Sequence, residues 1–181
     1  MRWQSLFDDF EAQIERHELA EVESEVTERT RAERASVLLA ERLLAHHGET
    51  LRLGFPGGSL SGRVVDVAPQ WVVVNDGRGD VLVPTASVAS VAGLGRATSM
   101  PPSQVMRRLG LAHALRALSR DRASVRIASV AGVFTGTIDR VGADHLDLAE
   151  HPVDELRRES AVRSVVALGF GGLLTVAAHR R

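Results

Sequence analysis

The chain has 181 residues, 44% of them hydrophobic and 25% charged, with a formal net charge of −1 and no cysteine. That length holds one or two domains with real cores, and the absence of cysteine excludes disulfides, thiol catalysis and cysteine-ligated metals. No apolar run is long enough to cross a bilayer and the N-terminus lacks a signal-peptide layout, so a soluble cytoplasmic protein is expected.

Residues 1–47 contain no proline, have glycine nowhere in the run and are rich in Glu, Ala, Arg and Leu, which predicts one long helix. Trp3, Phe7, Phe10 and Ile14 recur every three or four residues on one face of it. The stripe thins among glutamates and thickens again at Leu38, Leu39, Leu43 and Leu44. A helix apolar at both ends and charged between them is not buried along its whole length. Its C-terminal end is expected to pack on the next domain, and its start to meet a protein partner or a second copy.

From Leu51 the sequence reads LRLGFPGGSLSGRVVDVAPQWVVV, and from Val125 it reads VRIASVAGVFTGTIDRVGADHLDL. Laid over each other without a gap, Leu51 meets Val125, Leu53 meets Ile127, Gly62 meets Gly136, Val72 meets Leu146 and Val74 meets Leu148. An echo of this length predicts one structural unit used twice. Within each copy, apolar and polar residues alternate as in half-buried strands, and Gly57-Gly58, Ala131-Gly132 and Asp76-Gly77 read as turns. Gly62 and Gly136, inside strand patterns, predict a sharp bend or a close backbone approach. Pro84-Thr85-Ala86-Ser87 reads as a single helical turn before a last short strand.

The first such unit is placed at 48–92, a linker at 93–102, a connecting helix at 103–120 and the second unit at 121–177, leaving 178–181 as a tail. In the connecting helix Gly110 stands in helical phase between Leu109 and Leu111. It reads as one continuous helix rather than as the turn of a helix-turn-helix.

Five short strands with a bent second strand and a one-turn helix before the fifth resemble the SH3-like barrels, and among them the Sm-like group. The resemblance covers about 45 residues of each copy, on strand spacing and one glycine. It implies an α+β fold: a long N-terminal helix plus two small five-stranded SH3-like (Sm-like) barrels, each preceded by a helix. The Sm uridine pocket uses an aspartate and an asparagine after that glycine. Here Ala68 and Gly142 stand at the first position and Val72 and Leu146 at the second, so those roles do not carry over. All 22 basic residues are arginine, as in GC-rich genomes. The chain is similar to uncharacterised proteins of high-GC bacteria, which implies no activity.

Charge is uneven: residues 1–50 carry 12 acidic and 6 basic side chains, and residues 51–181 carry 11 and 16. Arg107, Arg108, Arg116, Arg120, Arg122 and Arg126 form the densest basic stretch and are candidate phosphate contacts. Against that stand the near-neutral whole chain and only seven aromatics for stacking. His46-His47 at a helix end favours the terminal carbonyls. His145, Asp147 and His151 have alternate-strand spacing but no metal-site motif, and neither a phosphate loop nor a nucleophile elbow is present. The expectation is a non-enzymatic interaction or adaptor protein without cofactor or metal. Its two barrels form the base, and Trp3, Phe7, Phe10 and Ile14 engage a protein partner or a second copy. The alternative is an RNA- or DNA-binding regulator that uses the six arginines.

Overall fold

The structure, a computed structural model, describes residues 35–100, 109–152 and 161–178. Leu38–Arg181 form one compact unit and Met1–Val37 a second, of which only the last residues are described. In chain order the described elements are α1 (Leu39–Ala45), β1 (Thr50–Phe55), β2 (Gly58–Ala68), β3 (Trp71–Asn75), β4 (Asp80–Pro84), a 3-10 turn (Thr85–Ser87) and β5 (Ser90–Ala92). There follow α2 (Leu111–Arg120), β6 (Ser124–Ser129), β7 (Gly132–Val141), β8 (His145–Glu150), β9 (Ser164–Gly169), a second 3-10 turn (Phe170–Gly172) and β10 (Leu173–Ala178). No helix among the described residues is long and apolar enough to cross a membrane.

All ten strands belong to one antiparallel sheet, in the order β5-β1-β2-β3-β4-β10-β6-β7-β8-β9. This corrects the expected pair of five-stranded Sm-like or SH3-like barrels. Closure of the first would need β5 to lie on β4. Instead β5 pairs with β1, and the outer edge of β4 is taken by β10 through Leu82 opposite Val176 and Val81 opposite Ala177. The sheet therefore stays open and continuous. The physical cause lies in β3 and β4, whose apolar runs WVVV and VLV leave no polar face to water. Val72, Val74, Val81 and Val83 fill one core with α1, while Trp71 and Leu82 fill another with α2 and β6–β10. A strand apolar on both faces needs cover on both, and each fully buried Val or Leu side chain contributes about 1.5–3 kcal/mol.

The two five-strand runs share their local irregularities. The register shifts once in β2, between Val64 and Asp66, and once in β7, between Ile138 and Arg140. A Cβ at Gly62 would collide with the carbonyl of Asn75, and one at Gly136 with that of Ala149, so both glycines permit the close approach their strand position requires. Gly77, at φ 87°, turns β3 into β4 while the Asp76 carboxylate accepts the N–H groups of Arg78 and Gly79 at 2.8 and 3.0 Å.

Both helices are shorter than the sequence suggests. The helix expected to run unbroken to residue 47 is interrupted at Leu38, which is extended (φ −84°, ψ 150°), and Leu38 N–H donates to the Glu41 carboxylate at 3.0 Å as α1 begins. The connecting helix is likewise not continuous through Gly110, which is extended (φ −75°, ψ 168°) and caps α2. The Gln70 side-chain oxygen, from the β2–β3 turn, accepts Leu111 N–H at 2.9 Å and so fixes where α2 starts.

Candidate functional site

Trp3, Phe7, Phe10 and Ile14 lie outside the described residues, as do Arg107 and Arg108. The four other arginines are described and exposed, but their surroundings differ. Arg116 donates to the Gly142 carbonyl at 3.1 Å and ties α2 to the β7–β8 turn. Arg120 and Arg122 flank a small groove with Asp139, and Arg126 sits within β6 opposite Thr135 and Ala177. A carboxylate among them and a guanidinium already bonded make a mixed surface, which does not favour polyanions over other partners.

The histidines have local explanations. His46 is buried; its Nδ1 lies 2.7 Å from the Arg42 carbonyl and its Nε2 accepts Gly95 N–H at 2.9 Å, which fixes the Nδ1–H tautomer. His47 Nε2 donates to the Val65 carbonyl at 2.7 Å, in the β2 register shift. His145 pairs with Asp144 at 2.8 Å. His151 is buried between the Pro152 carbonyl, which accepts from Nδ1, and Thr137 Oγ1, which donates to Nε2, both at 2.8 Å. His145 and His151 thus point to different partners, and no group of three metal-ligating side chains occurs among the described residues.

The open sheet brings forward a feature the sequence reading passed over: its two terminal strands. Ser164–Gly169 of β9 reads SVVALG, without a charge or a proline, and Val165 is 61% exposed. One edge of β9 pairs with β8 along its length, from Ser164 opposite Glu150 to Gly169 opposite His145. Its far edge has no strand beside it among the described residues. The strand is held firmly at both ends: Arg163 N–H donates to the Glu150 carbonyl at 2.9 Å, Ser164 Oγ to the Glu150 carboxylate, and Phe170 N–H to the Asp144 carbonyl at 2.7 Å. At the opposite limit of the sheet, Ser90-Val91-Ala92 of β5 is equally uncharged and pairs only with β1 among the described residues.

Edge strands present unpaired N–H and C=O groups, and proteins that do not use them protect them with charges, prolines or bulges. The six residues of β9 carry no such protection, and the three of β5 carry only that of their shortness. The signal was present in the sequence as an uncharged run at 164–169, but only the strand order tells which side of it has no strand beside it among the described residues. No protein-family model matches the chain, and no curated protein is similar to it in sequence.

Proposed function

We propose that the chain works as a self-associating protein whose copies join by strand addition, β9 of one copy pairing with β5 of the next. One observation carries this reading: a six-residue edge strand, anchored at both ends, with an exposed valine and no protecting charge. The seam between β4 and β10 supports it, because the same chain already joins two sheet edges through uncharged aliphatic pairs. That seam has two register pairs, so the three residues of β5 are long enough for a similar contact. Because the two surfaces differ, the contact is head-to-tail and propagates until it closes on itself or forms a filament. In this reading the chain has an interaction role and no reaction of its own. Its cysteine-free composition suits the reducing cytoplasm as the compartment.

The test is the mass in solution, measured by light scattering after size exclusion across a concentration series. The expected result is a multiple of the 19.5 kDa chain that falls to a single chain in Val165→Lys, with the β9 amides losing hydrogen-exchange protection in step. A wild-type protein that is a monomer up to its solubility limit overturns the reading. So does an assembly that survives Val165→Lys but is lost in Trp3→Ala plus Phe7→Ala, which would assign association to the N-terminal aromatic stripe.

A further inference from the structure

A cleft of about 1050 Å³ opens beside the β4–β10 seam, on the face of the sheet that α2 covers. Its floor is apolar: Trp71 and Val73 from β3, Leu82 from β4 and Val176 from β10. Along one wall runs α2, whose Ala114, Ala117 and Leu118 line the space while Leu111 and Leu115 are spent in the core. Two alanines on the lining face leave room that longer side chains would fill. The volume is at the upper end of sites that take a small organic ligand, and such sites combine apolar walls with few polar groups.

The polar groups sit at the rim and are unequal in their commitments. Asp80 accepts from Asn75 Nδ2 at 2.8 Å, and it has a further partner. Arg78, on the exposed β3–β4 turn, and Arg122, after the end of α2, have no hydrogen bond or ion pair for their guanidinium groups among the described residues, and Asp121 supplies one opposing carboxylate. Arg122 is also the non-glycine residue held at positive φ (49°) among the described residues, in the position after a helix end where glycine is usual. Such a conformation is strained for a residue with a Cβ. Trp71 adds a second irregularity: its Nε1, buried in the cleft wall, has no acceptor among the described residues.

We infer that this cleft binds an amphipathic small molecule, with an apolar body on the Trp71–Leu82–Val176 floor and an anionic head at Arg78 and Arg122. The site is independent of the sheet edges, since neither β9 nor β5 lines it. Two carboxylates, Asp80 and Asp121, share the rim, but Asp80 is engaged by Asn75 Nδ2 while both guanidiniums lack a partner among the described residues, so the donors left for a ligand favour an anion over a cation of the same length.

The experiment uses full-length chain carrying Trp3→Phe, which leaves Trp71 as the single tryptophan and its fluorescence as a reporter of the cleft. Dodecanoate, dodecanol and dodecyltrimethylammonium are titrated below their micelle concentrations. The expected result is saturable binding of one dodecanoate per chain, weaker binding of dodecanol and weakest binding of the cation. Arg78→Gln, at an exposed turn where the fold does not depend on it, weakens dodecanoate about tenfold and leaves dodecanol unchanged. Ala117→Phe, which keeps Trp71 the single tryptophan, narrows the cleft and abolishes binding of both. Equal affinity for cation and anion, no saturable change in Trp71 emission, or an Arg78→Gln chain that binds dodecanoate as the parent does would each overturn the proposal.

Discussion

Strands β3–β4 and β8–β9 hold the same place in their halves of the sheet, yet one pair is interior and the other is terminal. Their registers correspond: Trp71 lies opposite Pro84 and Val73 opposite Leu82, while His145 lies opposite Gly169 and Asp147 opposite Ala167. The inward residues are alike in kind, Val72, Val74, Val81 and Val83 against Leu146, Leu148, Val166 and Leu168. The outward residues are not. Trp71 and Leu82 are buried under α2 and the second half, whereas His145, Asp147 and Ala167 remain partly or fully exposed. A strand's position in the sheet is thus written on its outer face, while its inner face records only that it belongs to a core.

Charge placed on the outer face should separate the two pairs most. Leu82→Asp buries an unpaired carboxylate at the seam and should cost about 3–5 kcal/mol, enough to unfold much of a marginal domain. Ala167→Asp, at the corresponding exposed position, should change stability by no more than about 0.5 kcal/mol. Urea unfolding followed by circular dichroism measures both. Equal losses would mean that β9 is covered as β4 is, and the distinction between interior and terminal strands would fall.

A second pair of substitutions should erase the difference. Gly62→Ala and Gly136→Ala each drive a Cβ into a backbone carbonyl of the adjoining strand, Asn75 in one half and Ala149 in the other. Backbone gives way less readily than a side chain, so each should cost about 1–3 kcal/mol, with the midpoint of thermal unfolding falling in both. If only one proved costly, the bend would matter in one half alone.

How much of this could be read in advance follows the same division. Local signals were sufficient for the strands themselves: alternation from Leu51, the Asp76-Gly77 turn and the one-turn helix before β5 all follow from period and turn chemistry. The glycine positions were legible for the same reason. Closure was not. Whether β4 meets β5 or β10 depends on two edges nearly 100 residues apart, and no local pattern at Val81-Leu82 specifies the partner. The continuous apolar runs in β3 and β4 carried the needed information, because a strand with one solvent face does not read WVVV. The start of α2 was hidden for a related reason: helical phase passes smoothly through Gly110, and the cap that ends it comes from Gln70, 41 residues away in sequence. The aromatic stripe at Trp3–Ile14 lies outside the described residues, and the cleft arises from four separated segments that no motif links.

The turns that precede β3 and β8 supply the smallest contrast. Gln70 and Asp144 occupy matching places, each just before the strand's first residue. Gln70 spends its side chain on the N-terminus of α2, so Gln70→Ala removes a cap and should cost about 1 kcal/mol. The Asp144 side chain is exposed and bonds to the adjacent residue: the hydrogen bond from His145, followed by that residue's charge, holds its carboxyl below the ordinary 3.8. A carboxyl with a lowered folded value stabilises the fold above the unfolded value, and that contribution disappears as pH falls through the folded value. Full exposure and solvent screening make the contribution small. Asp144→Asn should therefore lower the unfolding midpoint slightly at neutral pH and not at all in acid below the folded value, whereas the loss in Gln70→Ala should not depend on protonation of a carboxylate at that position. Unfolding both variants and the parent at the two pH values separates a turn that anchors a helix from one that faces solvent.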